Sequence, residues 1–595
     1  MPASIFEGAV AGFYKNIKNR HILDNKNIIR LLKQTCSLME LHGENDFKIK
    51  SYNNAIFNLE REKGDLSGMT AADLSKINGV GKSIATAIDE INQTGSFAAL
   101  DKYLEQTPPG VIELLTLKGI GAKKIRQLWK DLEIESNETL LQAIEEGKLA
   151  KLKGFGEKTQ NNLKEAILFK QQHSGKLLYA EAEPFVNALK ESIKQQFSDV
   201  QIAESGAFRR KTEIIEEILF VIASEQESQI KAYLSATEAL EYNQKQSGPF
   251  TWRGVLTETA TPVRFRFTSK NNFHKDLFIT TGSHTHLYHM VKEQKCLLDL
   301  VREAGQVDSE EEIYQLADLK YIAPELREGQ FEFDSTKMEQ RENLVEMGDL
   351  KGILHNHCTY SDGKHSLEEM ATYCKELGYE YLGITDHSKS SFYYANGLYE
   401  NRVKEQQAEI DELNKKLAPF KIFKGIECDI LPDGSLDYDN DTLASFDFIV
   451  ASIHSAMSMD IEKATLRVLK AVENPFTTIL GHMTGRLLLQ RDGYPVDHKT
   501  IIDACAKNNV VIEINSHPRR LDIDWRWIDY ALSKGVRLSI NPDAHAKEGY
   551  HDMIYGVHIG RKGGLTKEMN LNSMSLEEIN KYFESRKEKA LNMAV

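Results

Sequence analysis

The chain holds 595 residues, 41% of them hydrophobic, 27% charged and 9% aromatic, with a net charge of −14. Typical domains hold ~100–200 residues and a single core stops growing near ~250–300, so three to five units are expected, and the ordinary globular composition excludes collagen-like, disordered and disulfide-scaffold classes. No stretch approaches the ~20 apolar residues of a membrane span.

The opening segment MPASIFEGAVAGFYKNIKNR lacks the long apolar run and small-residue cleavage site of a secretory leader. Six scattered cysteines (36, 296, 358, 374, 428, 505) form no CxxC pair. A cytoplasmic monomer with reduced thiols and no membrane partner is therefore expected. The acidic total argues against nucleic acid, whose phosphates favour basic surfaces. The charge is uneven, however: +2 over residues 1–170, −10 over 171–350 and −6 over 351–595. Contact with a phosphate backbone is expected in the first segment. Histidine is uneven too, with 7 in residues 1–349 and 11 in 350–595.

Residues 26–170 read as helices broken by short glycine-centred turns. Three turns are alike: Asn78-Gly79-Val80-Gly81-Lys82, Lys118-Gly119-Ile120-Gly121-Ala122-Lys123 and Lys153-Gly154-Phe155-Gly156-Glu157. The glycines permit tight reversals, the apolar residue between them plugs the space between two helices, and the amides opening the second helix suit a phosphate. The turns resemble helix-hairpin-helix motifs. That resemblance implies sequence-independent DNA binding through Gly79, Gly81, Lys82, Gly119, Gly121, Lys123, Gly154 and Gly156, because phosphate contacts position a protein without reading bases. The stretch from Leu41 to Tyr52, with the Gly79–Gly81 turn after it, resembles the small N-terminal domain of family X DNA polymerases. Ala87 stands where some members carry a Schiff-base lysine, so no lyase activity is expected.

The middle third begins with an amphipathic helix (Ala182–Gln196) and continues in strand-like segments. Nucleotidyl transfer needs clustered carboxylates to hold two Mg²⁺ ions, and acids at i and i+2 on a strand share one face. The resemblance to family X continues through Gly206-Ala207-Phe208-Arg209-Arg210 and Thr281-Gly282-Ser283. On that alignment Ala207 replaces the serine that would touch the triphosphate beside Arg210. Glu217 and Leu219 occupy the two strand-acid positions, and Arg264 the third. An arginine beside one glutamate repels divalent ions, so the palm is expected to be degenerate and polymerisation lost or weak.

From residue 350 onward seven β-rich segments alternate with helical stretches, as in a (β/α) barrel whose site forms at the C-terminal strand ends. They are 352–357, 381–386, 421–427, 446–454, 477–482, 510–515 and 536–541. Six of them deliver His, Asp or Glu to one rim: His355 and His357, His387, Glu427, His454, His482, and Asp543 with His545, joined by Asp362 from the first loop. His365, His498, His517, His551 and His558 fall outside the pattern, and Cys358 and Cys428 alternate away from the metals. The constellation resembles the PHP (polymerase and histidinol phosphatase) domain, a distorted seven-stranded barrel holding up to three metals. The resemblance implies one metal on His355, His357, Glu427 and Asp543, a second sharing Glu427 with His454 and His482, and a third on Asp362, His387 and His545. Mixed His and carboxylate ligation suits Mn²⁺, Zn²⁺ or Fe²⁺. Arg486, Arg519 and Lys389 are the cations expected to meet a phosphate; Arg486 is placed among the catalytic residues with His355, His357, Glu427 and Asp543.

The expected architecture is multidomain. An all-α helix-hairpin-helix region comprises a small helical domain (1–90) and a fingers-like region (91–172). An α+β nucleotidyltransferase-like palm (173–280) and a thumb-like subdomain with an acidic linker (281–345) follow, and a distorted (β/α)7 PHP barrel (346–595) ends the chain. The resemblance to bacterial family X polymerases implies a DNA repair protein acting on gapped, nicked or 3′-end substrates as a 3′→5′ exonuclease or phosphoesterase. A working gap-filling polymerase with exonuclease and a small-molecule phosphatase are the alternatives.

Overall fold

The computed structural model describes residues 25–62, 64–117, 119–292 and 294–594. Lys118 and the segment through residue 24, which bears on the leader and on the start of the first domain, lie outside the described residues. The chain separates into two compact units that divide between Ser174 and Gly175. No helix among the described residues is long and apolar enough to cross a membrane.

The first unit is helical. Its main elements are α1 (Asn25–His42), α2 (Asp46–Leu59), α3 (Lys82–Thr94), α4 (Ala122–Leu132) and α5 (Glu157–His173). Ile28, Leu32, Cys36 and Met39 recur at three- and four-residue steps on α1, so one stripe of that helix is buried. The three glycine turns share one geometry. Gly79, Gly119 and Gly154 sit at φ of +80°, +87° and +91°, where an L side chain is strained. Gly81, Gly121 and Gly156 are extended residues immediately before α3, α4 and α5, with no side chain capping the helix. Val80, Ile120 and Phe155 between them are buried in the helical core. Each turn therefore presents first-turn amides outward, with Lys82 and Lys123 exposed beside them.

The described residues of the second unit hold two main sheets and two short two-stranded ribbons. The smaller comprises β1 (Gln201–Ser205), β2 (Ile218–Ala223), β3 (Leu240–Tyr242), β4 (Thr251–Leu256) and β5 (Pro262–Thr268), in the order β1-β2-β5-β4-β3. Only β2 and β5 run parallel. Phe220 and Phe265 stack across that pair at 5.0 Å, and α6 (Tyr179–Gln196) buries Ala182, Phe185 and Val186. The strand on which the resemblance places Glu217 and Leu219 is interrupted: Ile214–Ile215 pairs with Leu177–Leu178, Glu216 lies in a bend, and β2 starts at Ile218, after Glu217. Glu216 is exposed to solvent, and Glu217, half-buried, is paired with Arg264.

The larger sheet has seven parallel strands in chain order: β6 (Gly352–Ile353), β7 (Tyr381–Ile384), β8 (Lys421–Asp429), β9 (Phe448–Ser452), β10 (Ile479–Leu480), β11 (Val511–Asn515) and β12 (Leu538–Asn541). The first is shorter than its apolar segment because the Asn541 side chain accepts the Leu354 N–H at 3.2 Å. Beyond that point Asp543 N–H donates to His355 O (3.1 Å) and His357 N–H to Ala544 O (2.8 Å), so the first and last strands meet and nearly close the barrel at its rim. The opposite mouth is plugged by the C-terminal helix Leu576–Ala594, whose Phe583 ring stacks on Phe448 at 4.9 Å and meets Phe423 edge-on at 5.1 Å. Only the C-terminal strand ends are left for polar chemistry.

The two sheets of this unit are joined by buried polar contacts. Glu213 accepts from Trp525 Nε1 (3.0 Å) and Arg526 Nη1 (2.9 Å). Lys562, at the end of the barrel helix α7 (Met553–Lys562), is 1% exposed and donates to Arg210 O (3.0 Å) and to Glu328. Arg210 in turn donates to Glu328 (2.9 Å) and to Thr281 O (2.7 Å). Beside it Glu310 accepts from Arg209 (2.9 Å) and from Arg327 (2.6 Å), which is fully buried. Burial opposes charge on Glu310, yet the two guanidiniums hold its carboxyl down at about 2. Its contribution is therefore complete above the ordinary carboxyl value of 4.5 and is lost as pH falls toward 2. Glu310→Gln leaves a buried guanidinium uncompensated and is expected to cost about 3–5 kcal/mol in urea unfolding at pH 7. Breaking the exposed Lys415–Glu412 pair is expected to leave the unfolding transition unchanged, because solvent screens it.

Candidate metal centre

The parallel strands aim their ends at one small volume, and Glu427 stands in the middle of it. Period-two alternation along β8 turns Glu427 and Asp429 to the same face, where both meet His454, while Cys428 between them enters the apolar core. Among the described residues, five imidazoles lie against the Glu427 carboxylate. Oε1 is 3.4 Å from His355 Nε2, 3.1 Å from His454 Nε2 and 3.0 Å from His482 Nε2. Oε2 is 2.9 Å from His387 Nδ1 and 3.7 Å from His357 Nε2. Burial opposes its charge, but the surrounding histidines, His454 first, hold the carboxyl well below the usual range.

Asp543 completes one side, with Oδ1 3.2 Å from His357 Nε2 and 3.6 Å from His355 Nε2. Asp362 completes the other, with Oδ1 3.7 Å from His387 Nε2 and Oδ2 3.4 Å from His545 Nε2. All nine side chains singled out in the sequence thus meet at one rim. Ligand atoms fall into three overlapping groups, each within 4.8 Å: His357, Asp362, His387 and His545; His355, His357 and Asp543; and His387, Glu427 and His454. His357 and His387 lie between groups, where the ligand partition implied by the resemblance assigned each to a single metal, and His482 belongs to the cluster through Glu427. Burial, with His545 and His387 beside it, lowers His357 to about 3, which keeps its imidazole neutral and able to ligate.

The donor set fits divalent cations. His355 Nε2, His387 Nδ1 and Glu427 Oε2 are buried without a hydrogen-bond partner, although His387 Nδ1 stands 2.9 Å from Glu427 Oε2 and His355 Nε2 3.4 Å from its Oε1. Unsatisfied buried polar atoms are costly, and a cation shared between them supplies the missing partner.

Behind the rim stand groups that the sequence reading passed over. Glu513 is fully buried and accepts from His355 Nδ1 at 2.6 Å, the His482 backbone N–H at 2.8 Å, and Asn515 and Asn541 Nδ2 at 3.2 and 3.1 Å. It lies on β11, the sixth barrel strand and the one that brings no ligand. A glutamate between Ile512 and Ile514 was its available signal. Asp429 accepts from His454 Nδ1 at 2.8 Å. Asp386 accepts from the backbone N–H groups of Cys358 (2.9 Å) and Ser361 (3.1 Å), shaping the loop that carries Asp362.

The cations need correction. The guanidinium of Arg486 is occupied by Asp524 (2.6 Å) and by the backbone carbonyls of Arg520 (2.9 Å) and Leu521. It braces a loop and does not face the cluster. Arg519 pairs with Glu181 at 3.1 Å and Lys389 with Glu400 at 2.6 Å. Arg520 is the cation at the centre, its Nε 3.2 Å from Asp543 Oδ2. The five histidines set aside have structural partners: His365 accepts from the Lys547 N–H at 3.3 Å and His517 from the Arg519 N–H at 3.2 Å, His498 stacks on Trp527 at 4.7 Å, His551 pairs with Tyr373 at 2.8 Å, and His558 packs edge-on against Tyr179.

The corresponding place in the smaller sheet is different. Arg264 lies opposite Leu219 in register and forms an ion pair with Glu217 at 2.7 Å. Leu219 is buried, and Ala207 lies in the short helix Gly206–Arg209.

Partners behind ligands fix ring orientation, and their loss commonly costs ~10–100-fold in metal affinity or activity. Glu513→Gln is expected to weaken Mn²⁺ binding by that amount in calorimetric titration while leaving the thermal unfolding transition cooperative. Unchanged affinity would remove Glu513 from this role.

A helix-hairpin-helix domain model matches residues 23–97, a SAM-like helix-hairpin-helix tandem model residues 111–167, and a PHP domain model residues 354–517. The DNA polymerase/3′-5′ exonuclease PolX of Bacillus subtilis (strain 168) is 34% identical over 568 residues, covering 94% of this chain and 99% of that protein. Shorter relatives are also similar. A probable phosphatase of Thermoanaerobacter sp. (strain X514) is 25% identical over 40% of this chain and 95% of its own length. One of Caldanaerobacter subterraneus subsp. tengcongensis is 22% identical over 40% of this chain and 94% of its own. With that similarity running almost end to end, the chain belongs to the bacterial PolX group of family X DNA polymerases that carry a C-terminal PHP domain.

Proposed function

We propose that this protein hydrolyses DNA phosphodiesters from 3′ ends at the barrel rim, and that the residues before the barrel serve mainly to hold the DNA. The observation that carries the reading is a contrast: nine metal-competent side chains, Glu427 and Asp543 among them, gather at the barrel rim, whereas Glu217 in the palm is neutralised by Arg264 at 2.7 Å. The proposed division of labour follows the chain: 1–90 and 91–172 grip DNA, 173–280 and 281–345 form a platform, and 346–595 carries the chemistry. In this reading the protein acts in the cytoplasm as a monomer on gapped, nicked or 3′-end substrates.

His355, His357, Glu427 and Asp543 would hold one cation, Glu427 with His454 and His482 a second, and Asp362, His387 and His545 a third, with Mn²⁺ or Zn²⁺ favoured and Fe²⁺ compatible. Such cations polarise a phosphoryl oxygen and lower the pKa of water for attack. The chain's own groups prepare that step. Nδ1 of His355 lies against Glu513 and that of His454 against Asp429, which would leave the Nε2 lone pair of each ring free to ligate a cation shared with Glu427. Arg520 holds Asp543 and would offer a positive charge to a phosphate bound at the cluster. Near-complete burial of Glu427 and Asp543 keeps bulk water from screening these charges.

DNA contact is assigned to the three glycine turns. Their open first-turn amides, together with Lys82 and Lys123, match phosphates at a helix start and carry no base preference. The Bacillus relative is named a polymerase as well as an exonuclease, so templated extension is the competing activity. The Glu217–Arg264 ion pair favours its loss. Small-molecule phosphatase action is the further alternative, since shorter relatives named probable phosphatases align with 40% of the chain.

Gel analysis of labelled gapped and 3′-tailed DNA with Mn²⁺, with and without nucleoside triphosphates, separates these readings. Wild type is expected to shorten DNA without extending it, and Glu427→Ala to lose at least ~100-fold of that activity. Primer extension by wild type would overturn the degenerate-palm reading. Intact DNA alongside hydrolysis of a small phosphomonoester would favour the phosphatase.

A further inference from the structure

The segment between His387 and Leu398 is tied to the metal cluster at both ends. Ser388 N–H donates to Glu427 O at 3.0 Å and Leu398 N–H to His387 O at 2.8 Å. Between them Asn396, in the left-handed region at φ +53°, donates from its side chain to the carbonyls of Tyr360 and Ser361, both at 3.1 Å, immediately before Asp362. The loop is therefore held by the same backbone that presents the candidate ligands.

What it carries outward is aromatic. Tyr393 is 94% exposed, Tyr394 58%, Tyr399 43% and Phe392 38%. The Phe392 ring meets Tyr393 edge-on at 5.6 Å and Tyr399 at 5.3 Å, so these rings form one patch. Single exposed apolar side chains are ordinary; a contiguous patch on a pinned loop marks a binding surface. Folding gains little from Tyr393, whose ring is almost wholly in water.

The patch is also continuous with the cluster. The Tyr394 hydroxyl pairs with Ser391 Oγ at 2.7 Å, and Ser391 donates to Asp429. Asp429 accepts from His454 Nδ1 at 2.8 Å, and His454 Nε2 stands 3.1 Å from Glu427. Four short contacts thus connect Tyr394, which follows Tyr393 in the chain, to the central carboxylate.

A nucleotide whose phosphate enters the cluster carries its base one sugar farther out, and every base has a π-face that stacks on an aromatic ring. A base paired inside a duplex already has both faces covered; an unpaired terminal base does not. We infer that Phe392, Tyr393 and Tyr399 form a stacking platform for the nucleobase of an unpaired DNA end, with Tyr394 coupling the platform to His454. The inference rests on the phosphodiesterase reading above and adds to it the group that selects the substrate.

The test uses the full-length protein, an oligonucleotide with 2-aminopurine as its 3′-terminal base, and a base-free aryl phosphodiester. Wild type is expected to quench the terminal 2-aminopurine fluorescence, and Tyr393→Ala to lose most of that quench. The ratio of kcat/KM on the single-stranded tail to that on the aryl diester is expected to fall about 5- to 150-fold in Tyr393→Ala, the range of one lost base–aromatic stack. Tyr393→Phe is expected to keep both properties. Wild type that cuts DNA while Tyr393→Ala leaves ratio and quench unchanged overturns the platform alone. Wild type that hydrolyses the aryl diester and leaves DNA intact overturns the DNA reading and the platform with it.

Discussion

A carboxylate that is 1% exposed has lost nearly all its water, and an isolated buried anion is too costly to keep. Glu427 stays anionic because five histidines from four segments of chain converge on its two oxygens. That convergence is the constraint that the barrel satisfies. Parallel strands place successive C-terminal ends side by side, the C-terminal helix fills the opposite mouth with Phe583, and Asn541 draws the first strand out of its ladder so that His355 and His357 can face inward. A second tier of carboxylates, Glu513 and Asp429, then orients the imidazoles from behind.

The smaller sheet shows the opposite electrostatics at the place where the family resemblance sets catalytic acids. A guanidinium cannot leave Glu217 free to bind divalent ions, and Leu219 offers no ligand at all. Arg210, which the resemblance assigns to the nucleotide, is held by Glu328 and the Thr281 carbonyl, while the buried ammonium of Lys562 from the barrel closes over the same glutamate. Such contacts are stabilising only when complete, because a buried charge that loses its partner is expensive. They bind the palm and the barrel into one folded unit.

The features that were legible in the sequence are those written in short-range spacing. Three Gly-apolar-Gly turns announced left-handed backbone followed by a helix start, and the structure has that geometry at Gly79, Gly119 and Gly154. His-x-His at a strand end and an acid or imidazole after most of the other strands announced the rim. What escaped depends on partners far away in the chain. Glu513 reads as an oddity within an apolar strand until His355, 158 positions earlier, is seen to need an acceptor. Arg486 and Arg520 are indistinguishable as isolated arginines; the first is consumed by Asp524 and two carbonyls, the second reaches Asp543. The break at Glu216–Glu217 was masked because β-propensity on both sides suggested one continuous strand.

The central claim is that divalent cations gather at the barrel rim and not in the palm. Anomalous scattering from crystals of the full-length protein grown with Mn²⁺ tests it directly. The expected result is density within coordinating distance of Glu427 and Asp543 and none beside Glu217. A manganese peak at Glu217, with the Glu427 cluster empty, would contradict it.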